Sequence, residues 1–230
     1  MEALNEQSLR VLKLFGKKPK HVTMLELKKK AQEAQGKVNH IYLHWTGAGY
    51  EQPDDNYHLC VDRLGQVYVC CKEFTEEKSH TWLRNQGALA IALCCGTGSR
   101  CWVPGVGNPR TAWGVTEITP NTPSHCALLD FGPALPTQPQ IEKMAKLVAM
   151  LCGELELPVS RDTVTTHCEA AFKDGYGPGS GDAEACWDLW FLPDPDHYGK
   201  LAPGGELIRG KALEYQQKSG DGNGVKPDPR

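Results

Sequence analysis

The spacing of apolar residues along this chain switches between helical and strand periods. Met24, Leu27, Ala31 and Ala34 recur at helical spacing behind Thr23-Met24-Leu25-Glu26, which has the form of a capping box. Residues 1–36 therefore read as a helical arm packed on the domain that follows. Strand-like runs come next at about 38–46, 56–63, 66–72 and 88–95. The second and third are joined by Asp62-Arg63-Leu64-Gly65-Gln66, a hairpin turn in which Gly65 is free to take a positive φ. Gly96 to Pro136 turns to Gly, Pro, Ser and Thr with scattered aromatics, Trp102 and Trp113 among them, and reads as an insertion over 97–136. A helix is predicted over 137–152, with Thr137 as N-cap, Pro139 in the first turn, and Ile141, Met144, Val148 and Leu151 on one apolar face. Val164 to Thr166 reads as a short strand, 168–186 as a glycine-rich loop, and Trp187 to Leu192 as a return to the core. The polar, glycine-rich stretch 216–230 is predicted to be disordered.

A length of 230 residues with 40% hydrophobic content fits one α/β domain, placed at 37–215. Lys and Arg total 25 against 28 Asp and Glu, a net charge of −3 that favours neither nucleic acid nor an anionic membrane as partner. No apolar run approaches the roughly 20 residues needed to span a bilayer, and the first residues lack a basic start followed by an apolar core, so synthesis in the cytoplasm is expected. Ten cysteines include the adjacent pairs Cys70-Cys71 and Cys94-Cys95, whose side chains point to opposite faces of a strand. Reduced, mostly buried thiols are expected, and without any CxxC pair a four-cysteine zinc knuckle has no support.

Candidate chemistry lies in two strand-end histidines. His44 ends Ile41-Tyr42-Leu43-His44, and His167 ends Val164-Thr165-Thr166-His167. Imidazoles projecting from neighbouring strands can converge on Zn²⁺, and a third ligand would leave the fourth position open for water, as in a zinc hydrolase. His21, His40, His125 and His197 lack such context and are read as structural.

The order of further motifs is more specific than any one of them: His44-Trp45-Thr46-Gly47, Asn56-Tyr57-His58 running through the Gly65 hairpin to Val69, Ser79-His80-Thr81, and Ala90-Ile91-Ala92-Leu93. From about 38 to 193 the chain resembles the zinc N-acetylmuramoyl-L-alanine amidases, the family shared by phage lysozyme-type amidases and peptidoglycan recognition proteins. The resemblance implies an α/β fold with a central mixed β-sheet flanked by helices. It implies Zn²⁺ held by His44, His167 and a third ligand, Asp188, with Cys186 as the alternative. Tyr57 takes the position of a catalytic tyrosine, and His80, near the site rim, that of a substrate-binding residue. His58 points to the opposite face and is read as a core histidine. Glu169 is either a carboxylate behind the second ligand or an exposed loop acid. Many members carry Lys or Arg two residues before the ligand Asp, where this chain has Cys186; the metal alone, Arg84 or Lys173 would have to take that role. The implied activity is hydrolysis of the amide between N-acetylmuramic acid and L-alanine, with peptidoglycan or a muropeptide as partner, in a phage or prophage endolysin. The alternatives are a cytosolic muropeptide-recycling amidase and a non-catalytic peptidoglycan-binding module.

Overall fold

The computed structural model describes residues 20–102, 113–115, 127–180 and 186–221. In chain order they form β1 (Lys20–His21), α1 (Met24–Glu33), β2 (His40–Trp45), β3 (Leu59–Val61), β4 (Val67–Val69), β5 (Ala88–Leu93), β6 (Arg100–Trp102), β7 (Trp113–Val115), β8 (Ala127–Asp130), α2 (Gln138–Leu155), β9 (Val164–Thr166), α3 (His167–Asp174), β10 (Phe191–Pro193), β11 (Leu201–Pro203) and α4 (Gly204–Asp221).

Six strands make the central sheet in the order β1-β4-β3-β5-β2-β9. The segment β3-β5-β2-β9 is parallel, and β4 and β1 extend it antiparallel at one edge. The chain is thus an α/β domain with a mixed central sheet. Residues paired in register share a face, so Ile41, Leu43 and Trp45 of β2 lie with Leu89, Ile91 and Leu93 of β5, while Tyr42 and His44 lie with Ala90 and Ala92. The first face is covered by the apolar sides of α1, α2 and α4, through Leu27, Ile141, Met144, Val148 and Ile208. The second face is lined by the small side chains of β5; Ala170 of α3 meets Tyr42 and Ala88 there.

The helix signals read from the sequence act as expected. Thr23 and Glu26 form a complete capping box on α1, with Glu26 N–H donating to the Thr23 hydroxyl at 3.2 Å. Met24 is 37% exposed, so the buried stripe of α1 is narrower than its spacing suggested. Thr137 caps α2, and the fully buried Gln140 does more than complete that box. Its Nε2 donates to the carbonyls of Val61 and Cys94, each at 3.0 Å, tying the start of α2 to the ends of β3 and β5. Gly65 sits at φ +78° in the hairpin, where a Cβ would lie 2.9 Å from the Pro139 carbonyl oxygen.

Two expectations are corrected. The stretch after Thr166 is not a loop throughout: Thr166-His167-Cys168-Glu169 is a third capping box, and α3 runs from His167 to Asp174, ending on Gly175 at φ +84°. The stretch from Gln216, expected to be disordered, is helical through Asp221, and the Gln216 amide donates to the Ala149 carbonyl of α2 at 3.1 Å. The 97–136 insertion contributes an antiparallel sheet in the order β6-β8-β7; its residues 103–112 and 116–126 lie outside the described residues, as do 1–19 of the N-terminal arm. All nine described cysteines are free thiols. Among the described residues no helix is long and apolar enough to cross a membrane.

Candidate metal centre

Parallel pairing of β2 with β9 decides where the two strand-end histidines meet. Leu43 faces Thr166 in register, so the residues that follow, His44 and His167, come side by side at the carboxyl ends of the strands. That edge of an open α/β sheet is where ligands bind. The two rings are 4.8 Å apart between centroids. Asp188 reaches them from the segment before β10, 6% exposed, its backbone carbonyl accepting from Cys168 N–H at 3.4 Å. Its two carboxylate oxygens divide between the rings: Oδ2 is 3.2 Å from His44 Nδ1, and Oδ1 is 3.2 Å from His167 Nδ1.

This donor set fits Zn²⁺. Two nitrogens and a carboxylate oxygen all lie within 4.8 Å of one another, and His44 and Asp188 are buried. Zinc bonds of about 2.0–2.1 Å in a tetrahedron separate ligand atoms by about 3.3–3.4 Å, close to the spacing between the carboxylate and each ring. Electrostatics agree with a lone pair on His44, because burial lowers its pKa to about 4 against the opposing pull of Asp188. At His167 burial acts in the same sense, but the charge and hydrogen bond of Asp188 together outweigh it and raise the pKa. Burial would raise Asp188 itself; the two histidines prevail and hold it ionised, well below the usual carboxylate range.

Cys186 approaches as a donor, its Sγ against Asp188 Oδ1. Burial, then the charge of Asp188, pushes its thiol far above the ordinary value, so it keeps its proton. Among the described residues the metal-capable group consists of His44, His167 and Asp188.

Tyr57 packs its ring 5.0 Å from that of His44, and its hydroxyl donates to the Trp45 carbonyl at 3.3 Å. Burial, then Asp188, drives its pKa upward, so the phenol stays protonated. His80 is not at the rim: it is 7% exposed and stands behind His44, joined to it through Thr81. His58 bridges Ala90 N–H and the Glu76 carbonyl within the fold. Of the two cations that could replace the family Lys or Arg, Arg84 is committed elsewhere. Arg84 is bound by both oxygens of Asp174 at 2.5 and 2.6 Å, and Lys173 is exposed in the last turn of α3. Glu169 is neither of the two things expected of it; it caps α3 and pairs with Arg209 at 2.8 Å. His40 bonds Thr165, His197 bonds Asp194, and His125 lies outside the described residues.

Two neighbours of the site were not anticipated from the sequence. Thr81 touches His44 directly, and Tyr176 packs edge-on against His167 and Trp82 with its hydroxyl buried. A lone Thr after His carries no spacing signal. Tyr176 lies in the glycine-rich stretch whose path could not be derived from periodicity.

No curated protein and no solved structure matches the chain. A family model, that of N-acetylmuramoyl-L-alanine amidase, matches residues 34–180, a span that holds His44, Tyr57, His80 and His167 and stops short of Asp188. The match covers well over half of the sequence, and its two strand-end histidines meet at one buried carboxylate: the chain belongs to the N-acetylmuramoyl-L-alanine amidase family.

Proposed function

We propose that the chain is a zinc-dependent amidase that cleaves the bond between the lactyl group of N-acetylmuramic acid and L-alanine in peptidoglycan. The observation that carries this is the convergence of both histidine Nδ1 atoms on the Asp188 carboxylate, each at 3.2 Å, in a member of this family. Zn²⁺ held by these three residues would supply Lewis-acid chemistry for hydrolysis of the amide.

The protein's own groups divide the remaining work. His44 and His167 offer nitrogen lone pairs, and Asp188 offers a carboxylate kept ionised by both. Tyr57 holds its proton and turns it from the Trp45 carbonyl, a long bond of 3.3 Å, to the carbonyl oxygen that gains charge as the amide carbon becomes tetrahedral. Cys186, a neutral thiol, and Arg84, committed to Asp174, supply no cation there. The same observation favours a second reading, a peptidoglycan-binding module that holds substrate without cleaving it. Trp187-Asp188 leading to Leu192-Pro193 resembles prophage-type members and supports an endolysin as the biological setting.

One experiment separates these readings. Zinc-loaded protein is incubated with purified sacculi and, separately, with soluble muropeptides, and released stem peptides are quantified. Release from sacculi, abolished in His44→Ala, is the expected outcome. Cleavage of muropeptides alone would mark a recycling enzyme, and retention on sacculi without release a binding module.

A further inference from the structure

The turn Ser79-His80-Thr81 reaches the metal centre from the side of His44 that faces away from Asp188. Thr81 is 2% exposed, and its Oγ1 lies 3.3 Å from His44 Nε2 and 2.9 Å from His80 Nδ1. The turn is pinned in place by Asn85, whose Oδ1 accepts the backbone N–H groups of His80 and Thr81 at 3.2 and 2.9 Å. His80 Nε2 is buried and has no hydrogen-bond partner among the described residues.

A neutral imidazole has one proton for two nitrogens. His44 can turn a lone pair on Nδ1 towards a metal only while Nε2 carries the proton, and whatever accepts that proton's hydrogen bond fixes both the tautomer and the ring plane. Among the described residues the partner of Nε2 is the Thr81 hydroxyl. A hydroxyl accepts one bond and donates another, so it can take the His44 N–H and pass its own hydrogen to His80 Nδ1. We propose that Thr81 and His80 are positioning residues of the metal centre: Thr81 accepts Nε2–H of His44 and donates to Nδ1 of His80, locking His44 with Nδ1 facing the ion. His80 then carries its proton on Nε2, the atom the fold buries unpartnered. This assigns His80 to the support of a ligand and withdraws it from the substrate rim. The inference rests on the metal-centre proposal above.

The chemistry names its own controls. Thr81→Val keeps the shape and removes the hydroxyl, whereas Thr81→Ser keeps the hydroxyl. Zn²⁺ affinity is measured by chelator competition, together with the visible spectrum of Co²⁺-loaded protein and the thermal unfolding of the metal-free form. Thr81→Val should bind zinc about 10–100-fold more weakly and show an altered Co²⁺ spectrum, with Thr81→Ser restoring both. Equal affinity and an unchanged spectrum in Thr81→Val would overturn the positioning role while leaving the zinc site intact. A wild-type protein that binds neither ion overturns the zinc site and this inference with it. Ring ¹⁵N–¹H correlation on zinc-loaded wild type needs no variant: a proton found on His80 Nδ1 rather than Nε2 contradicts the assignment.

Discussion

At Asp188 two opposed effects meet. Burial alone would protonate this carboxyl, and the facing histidines reverse that, so the residue is an anion only because of its partners. Replacing it with Asn removes the charge and one oxygen donor; Asp188→Asn should lose stoichiometric zinc by elemental analysis. Cys186→Ser should keep it, since a hydroxyl makes the same donor contact with Asp188 that the thiol makes. The reverse pattern would show that the third ligand lies two residues earlier. Tyr57→Phe should retain zinc and fold yet lose roughly 10²-fold or more in kcat on peptidoglycan, because a phenol donor acts only as charge develops on the carbonyl oxygen. A near-normal rate in that variant would leave Tyr57 a packing residue. That His44 and His167 come together was legible in the sequence because both end strands, and Asp188 was named beside them through the family resemblance of its Trp-Asp segment. Thr81 was not, because its contact with His44 arises only when residues 37 apart in sequence fold together.

At the level of elements, β2 to β5, β9, α1 and α2 announced themselves through period and caps, whereas β1, β6 to β8, β11 and α4 went unassigned and α3 was missed. Its box, Thr166 to Glu169, has the same form as the ones at Thr23 and Thr137, but its eight residues are too few for periodicity to register. Glu169 also binds Arg209, whose Nη1 reaches the Val164 carbonyl at 2.9 Å, so one carboxylate ties β9, α3 and α4 together. Glu169→Ala should therefore destabilise by about 3 kcal/mol, the range for leaving one member of a buried pair alone. Burial raises the Glu169 pKa, but Arg209 and the Thr166 N–H prevail and lower it. The stabilisation it provides is accordingly full above the ordinary Glu value and fades as pH falls through the lower folded value. The gap in Tm between wild type and Glu169→Ala, measured by calorimetry, should be largest at neutral pH and narrow on acidification. A gap that does not change with pH would remove the ion pair from the account.

For the molecule as a whole, alternation along β5 told that the run was a strand but not which face would meet the helices. Leu89, Ile91 and Leu93 took the helical face, and Ala88, Ala90 and Ala92 left room for the rings of the other. Gln140 is the polar stitch between these layers. Gln140→Leu would strand the carbonyls of Val61 and Cys94, each worth about 1–3 kcal/mol when buried without a partner. Its urea midpoint should fall while zinc stoichiometry is preserved; an unchanged midpoint would mean that water replaces the amide. The parallel register that sets His44 beside His167 has a mechanical consequence as well. Their separation is fixed by backbone hydrogen bonds between β2 and β9, and Asp188 already spans them with both oxygens. With the two histidines carried on paired strands, chelation should lower Tm, because an ion that binds only the folded chain stabilises it, yet leave near-ultraviolet dichroism largely in place, and zinc added back should restore full occupancy without refolding.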